Sequence, residues 1–231
     1  MTITNRTFKA SLLGLSVAVA LGASTVAFAQ QQAPTVPAGA GFNSLFGPTG
    51  LLSVPTAYVN PQNTIQFGTN FSEEFRTISG NYGLSDYIEV GATFVEEDKG
   101  SNKGIVNAKL NVIPSNFQGF QFGGGVIDAF DSLNSTFFVV ASTRVLGPPQ
   151  ALEEQAFGVR VHLGYGSGVF NEKVIGGGEI FLDRSFAIVG EYNGDSTNAA
   201  LRYTHTDRRF RAQFGVYDTE WFFGTSYLLS F

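Results

Sequence analysis

The chain contains no cysteine, one methionine and one tryptophan among its 231 residues. Without cysteine there is no disulfide and no thiolate metal site, so burial and hydrogen bonding alone hold the fold. Charge is scarce too. Asp, Glu, Lys and Arg make up 14% of the chain, against about 25% in an ordinary soluble domain. Fourteen basic residues face 19 acidic ones, which leaves no basic surface of the kind nucleic acid requires. After the N-terminal region, no apolar run approaches the ~20 residues of a membrane helix. No GxSxG, HExxH or EF-hand pattern occurs, and no spacing sets a nucleophile beside a base. We therefore expect no enzyme, no cofactor and no metal.

What is present points to export. Arg6 and Lys9 precede an apolar run from Ser11 to Phe28, which closes on Ala27-Phe28-Ala29 before Gln30. That is the three-part pattern of a cleavable signal peptide, expected over residues 1–29; an uncleaved anchor is the alternative. Residues 30–62 begin rich in Gln, Ala, Pro and Gly and read as a leader on the periplasmic side, with the potential to plug a barrel. Residues 63–231 form the third region.

Glycine (28) and phenylalanine (23) are abundant in the chain and concentrated in that third region. Segments of roughly ten residues alternate in polarity and are separated by turn residues. "TIQFGTNFS" sets Ile65, Phe67 and Phe71 against Gln66, Asn70 and Ser72. "IVNAKLNVI" opposes Val106, Ala108, Leu110 and Val112 to Asn107, Lys109 and Asn111, and "FGVRVHLGY" and "RFRAQFGV" behave alike. The polar face is mostly Gly, Ser, Asn and Thr, and aromatics (Tyr165, Tyr203, Tyr217, Trp221, Tyr227, Phe231) gather at strand ends. The fold class expected is all-β: a transmembrane antiparallel up-and-down barrel of about twelve strands, with ten or fourteen allowed. A soluble lipocalin-like or sandwich fold is the alternative. Short turns (84–86, 183–185, 207–208) alternate with longer connections (96–104, 166–173, 194–197), which places both ends of the barrel on the periplasmic side. The glycine runs 123–125 and 176–178 fall inside strands and mark curvature or close packing.

The terminal "WFFGTSYLLSF" resembles the last strand of outer-membrane barrels, which ends in Phe after alternating apolar residues. On that resemblance Gly224, Tyr227, Leu229 and Phe231 form a sorting signal. The partners it implies are periplasmic chaperones, the barrel-assembly machinery and outer-membrane lipid.

Inward positions carry Glu89, Lys109, Arg144, Arg160, His162, Glu179, Glu191, Arg202, Arg209 and Arg211. Of these, Arg160, Glu179, Glu191, Arg202 and Arg211 are placed to form a charge ladder. It either pairs internally and fills a narrow lumen, or lines a solute path as in a small porin-like channel. His205 lies at a strand end beside the Asp207 turn.

One stretch is not explained by barrel physics. "GPTGLLSVPTAYVNPQNTIQFG" resembles the N-terminal signature of YjbH-like outer-membrane proteins through Gly47, Gly50, Leu51, Leu52, Pro55, Thr56, Ala57 and Gly68. That resemblance implies a cell-envelope role accessory to exopolysaccharide production or export, with polysaccharide as a partner. Leu51, Leu52 and Val54 precede the first lipid-facing strand, so they need cover other than the bilayer: either the segment folds into the barrel mouth, or it is a linker. A barrel-embedded hydrolase or acyltransferase is the remote alternative.

Overall fold

A computed structural model describes residues 42–97, 102–112, 120–146 and 157–231. The signal-peptide expectation falls outside these residues, as does the first part of the leader. Two short strands, β1 (Phe42–Asn43) and β2 (Thr49–Gly50), pair with each other. They are followed by β3 (Thr64–Phe71), β4 (Phe75–Ser85), β5 (Ile88–Glu97), β6 (Lys103–Asn111), β7 (Phe120–Ile127) and β8 (Thr136–Leu146). The remainder are β9 (Gly158–Gly166), β10 (Lys173–Phe181), β11 (Phe186–Tyr192), β12 (Thr197–Thr204), β13 (Phe210–Tyr217) and β14 (Glu220–Ser230). Strands β3 to β14 close into a twelve-stranded barrel in which every neighbour is antiparallel and adjacent in sequence, save at one seam.

That seam joins the last strand to the first. Its register runs from Phe223↔Phe71 to Ser230↔Thr64, and Phe231 adds a backbone N–H bond to the Asn63 carbonyl at 3.1 Å. Closure leaves no open strand edge, the condition for spanning hydrocarbon with sheet. Both ends of the barrel chain therefore lie at one rim, called here the near end. The far end, where the longer connections were expected, also has the two-residue turn Asp218-Thr219. In that turn both residues have positive φ (48° and 72°), which matches the twist of a tight hairpin.

Alternation is as regular as the sequence implied, and its sense excludes a soluble barrel. The polar positions are buried: Gln66, Asn70, Glu89, Asn107, Lys109 and Gln213 face the interior. The apolar positions are exposed, among them Phe67, Phe94, Leu110, Val139, Leu163, Leu201, Phe214 and Trp221. A lipocalin has the opposite arrangement.

The interior is not uniformly polar, however. Toward the far end, Val95, Ile105, Ile127, Phe138, Val140, Ile175, Val189 and Phe222 point inward and pack as one cluster with Phe170, from the short helical turn Gly168–Phe170. Phe222, which breaks the apolar-out pattern of the last strand, belongs to this layer. Tyr217 is also corrected: it faces inward rather than into an interfacial girdle. It packs on the cluster, accepts from Asn193 Nδ2 at 3.4 Å and sets its ring edge-on to Phe75 at 5.8 Å. Arg209 is corrected in the other direction. It lies exposed in the near-end turn, where its backbone N–H bonds Asp207 Oδ1 at 3.0 Å.

Candidate functional site: the lumen and its inserted segment

Residues 42–60 occupy the lumen. Phe42, Leu51, Leu52, Val54 and Ala57 are 0% exposed, so the barrel interior supplies the cover their sequence position denied them. The segment is a bent hairpin. At its tip Ser44 N–H bonds the Pro48 carbonyl at 2.9 Å, and Gly47 N–H bonds that of Ser44 at 3.0 Å. Gly47 takes φ of 113° there, a conformation closed to other residues. The tip reaches the apolar layer, where Phe46 meets Phe170 edge-on at 6.5 Å. A second bend follows, with Leu51 N–H on the Val54 carbonyl at 2.9 Å and an isolated bridge between Gly50 and Pro55. Thr56 N–H then bonds the Thr49 carbonyl at 3.2 Å. Of the residues that carry the YjbH-like resemblance, all but Gly68, which lies on β3, belong to this insert.

The wall glycines make room for it. A side-chain carbon at Gly123 would lie 3.0 Å from Ala57 Cα, and one at Gly177 would lie 2.6 Å from Leu51 Cδ1. Close packing, rather than curvature alone, accounts for Gly123 on β7 and Gly177 on β10.

Charged and polar wall residues grip the segment mainly by its backbone. Glu191 on β11 accepts the N–H groups of Leu52 (2.9 Å), Ser53 (3.0 Å) and Val54 (3.0 Å) and the Ser53 hydroxyl (2.6 Å). Across the barrel, Glu89 on β5 accepts the Thr49 N–H, the Thr49 hydroxyl and the Asn60 N–H, each at 2.8 Å. Lys109 lies 3.6 Å from Glu89 and donates to the Thr49 carbonyl at 2.7 Å. Asn107 donates to the Phe46 carbonyl at 2.8 Å, and Asn81 to that of Gly47. The peptide groups that a non-ladder segment leaves unpaired thereby find partners in the wall.

The predicted charge ladder is realised only in part. Glu179 receives Arg160 from β9 and Arg202 from β12, each at 2.7 Å. Arg202 also donates to the Leu51 carbonyl at 2.9 Å and to Gln213 at 3.2 Å, and lies 5.0 Å from the Phe42 ring centroid. Arg160 is sandwiched between the rings of Tyr58 (5.2 Å) and Phe181 (4.6 Å). Arg211 is buried on β13 opposite Thr204. Glu191 does not join this group, because its oxygens are taken by the insert and by Asn198 at 3.1 Å.

Sequence spacing offered no nucleophile beside a base, but the fold sets one there. Ser142 Oγ lies 2.8 Å from His162 Nδ1, while His162 Nε2 lies 3.6 Å from Glu179. Ser142 also accepts the Ala57 N–H at 2.9 Å. His205 is elsewhere, exposed at the near rim and 3.0 Å from Asp207. Among the described residues, no group of three or more His, Cys, Asp or Glu is placed to hold a metal ion.

The proposed sorting residues sit on the closing strand. Gly224 faces inward between Asn70 and Gln213. Tyr227 and Leu229 pair with Phe67 and Ile65 across the seam, and Phe231 is 81% exposed.

A scan against protein-family models finds none that matches, and a search of curated proteins finds no match. Among solved structures, a KdgM porin aligns with a TM-score of 0.48 and 13% identity over 73% of this chain and 99% of its own. The same porin in complex with disordered oligogalacturonate aligns with a TM-score of 0.47. The N-terminal β-barrel domain of Pseudomonas aeruginosa OprF aligns with a TM-score of 0.26 and 10% identity, over 74% of this chain and all of that domain.

Proposed function

We propose that this chain is an outer-membrane β-barrel of the cell envelope whose lumen is closed at rest by its own N-terminal segment. One observation carries the reading. The insert is buried against inward-facing residues of β3 to β12, and Phe46 and Phe170 meet at the far end of its path. The exposed apolar belt argues for the bilayer: in water it would be a contiguous greasy surface far larger than soluble proteins carry. Export to a diderm outer membrane fits closed sheet, since a barrel needs no long apolar segment. On this reading the protein is an envelope component rather than an open diffusion channel. The YjbH-like resemblance supports a role beside exopolysaccharide production or export, because it rests on the residues that form the insert.

The experiment is conductance in planar bilayers. Full-length protein is expected to be silent, and protein lacking residues 42–60 to form discrete, salt-dependent channels. Steady conductance from the full-length protein would sink the closed-barrel reading. A porin-like channel is the second reading. It is favoured by the C-terminal end of the insert, which leaves at the near rim, where Asn60 meets Glu89 and Asn63 meets the Gly83 carbonyl. Silence that breaks into channel events under applied voltage or mild denaturant would favour it.

A further inference from the structure

We propose that Ser142 is an activated serine nucleophile, covered by Tyr58 of the inserted segment, that forms an acyl-enzyme with small carboxylic esters entering from the near end. This goes beyond closure of the lumen and does not depend on whether the barrel conducts.

Ala57 N–H can only donate, so Ser142 Oγ is its acceptor at 2.9 Å. In the tautomer that carries the ring proton on Nε2, the serine's own proton points at His162 Nδ1, 2.8 Å away, and Nε2 faces the Glu179 carboxylate at 3.6 Å. Hydroxyl, imidazole and carboxylate thus stand in the order that activates a serine, with the carboxylate beside Nε2 but beyond hydrogen-bond reach in this resting arrangement. Three successive strands present them: Ser142 on β8 is the register partner of His162 on β9, and Glu179 on β10 is that of Arg160, two residues from His162. Glu179 is itself held on both sides by Arg160 and Arg202. Anchoring Ala57 requires the hydroxyl alone, and neither the imidazole nor the carboxylate behind it.

Ser142 is 1% exposed, yet Gln121, its partner across the β7–β8 ladder, is only partly buried. The layer holding Ser142 therefore adjoins the near-end solvent. Tyr58, which follows the Ala57 that bonds Ser142, lies edge-on to the His162 ring at 6.1 Å and is itself partly exposed. On this proposal Tyr58 is the side chain that moves to admit the ester.

The step balances without a cofactor. Ser142 Oγ bonds to the ester carbonyl carbon while its proton passes to His162 Nδ1. Collapse of the adduct breaks the bond to the alcohol oxygen, which leaves with that proton. Water then repeats the sequence at the acyl-serine and releases the acid.

The test uses full-length protein in detergent micelles, with a fluorophosphonate probe and peptide mapping of the adduct. Heat-modifiable migration serves as the check of fold. Folded wild-type protein is expected to label slowly at Ser142, and folded Tyr58→Ala faster. Ser142→Ala should abolish that label, and His162→Ala in the Tyr58→Ala background should slow it by about a hundredfold or more, the share of a general base. Should Tyr58→Ala not fold, Tyr58→Leu takes its place. Absence of label at Ser142 in both folded wild type and the folded Tyr58 variant would overturn the proposal. So would a labelling rate indifferent to His162, which would leave Ser142 as an anchor for Ala57.

Discussion

A carboxylate inside a barrel can hold either a cation or a piece of backbone, and this lumen uses both. Glu179 neutralises two guanidiniums, whereas Glu191 takes three successive peptide N–H groups and a hydroxyl. The substitutions differ accordingly. Glu179→Ala strands Arg160 and Arg202 in the interior, and breaking a buried pair from one side costs about 3–5 kcal/mol. We expect a lowered unfolding midpoint in detergent, restored in part when Arg160 is also replaced by Met. Glu191→Ala leaves no buried charge unpaired but frees the bend at residues 52–54. The expected outcome is a barrel that still migrates in its folded form, with brief conductance events that the parent lacks. A midpoint loss as large as that of Glu179→Ala, with no events, would show that Glu191 supports the wall and not the insert. Inward placement of these residues was legible from alternation alone. Their partners were not. Glu191 and Ser53 stand 138 residues apart, and nothing in linear spacing distinguishes a carboxylate that meets arginine from one that meets backbone.

Strand by strand, period two revealed the barrel because both faces have a fixed solvent, lipid outside and lumen inside. It did not reveal the apolar inner layer of Ile105, Ile127, Phe138 and Phe222, because the inward face was read as mostly Gly, Ser, Asn and Thr. The insert was legible as a problem rather than a shape: Leu51, Leu52 and Val54 needed cover, and the partners that supply it come from strands far along the chain. Deleting residues 42–60 removes several fully buried apolar side chains, each worth roughly 1.5–3 kcal/mol of burial. It also exposes the inner apolar layer. The shortened barrel should therefore both conduct and melt at a lower temperature than the parent. Conduction with an unchanged midpoint would mean that the insert rests in the lumen without being part of its core. Single cysteines at Leu51 and Leu52 should react slowly with a thiol reagent in the folded protein and promptly after unfolding.

For the molecule as a whole, closure depends on β14 meeting β3. Phe231 contributes a backbone bond to that seam, but its ring is largely exposed. Replacing it with Ser should therefore lower the fraction inserted in cells far more than the yield of barrel refolded in micelles. Equal losses would mean that the ring packs structurally. The intact protein should require detergent once extracted and should migrate differently before and after boiling, as a closed sheet does. The insert runs directly into β3, with Asn60 held by Glu89 only a few residues before Thr64. The strand that must accept the last hydrogen bonds is thus the continuation of the chain that fills the interior. A chain that zipped β14 onto β3 with residues 42–60 still outside would have to push them through a finished rim. The wall glycines and the Glu89 grip instead favour settling them while the sheet is still an open trough. Assembly of this barrel is then expected to run contents first and wall last.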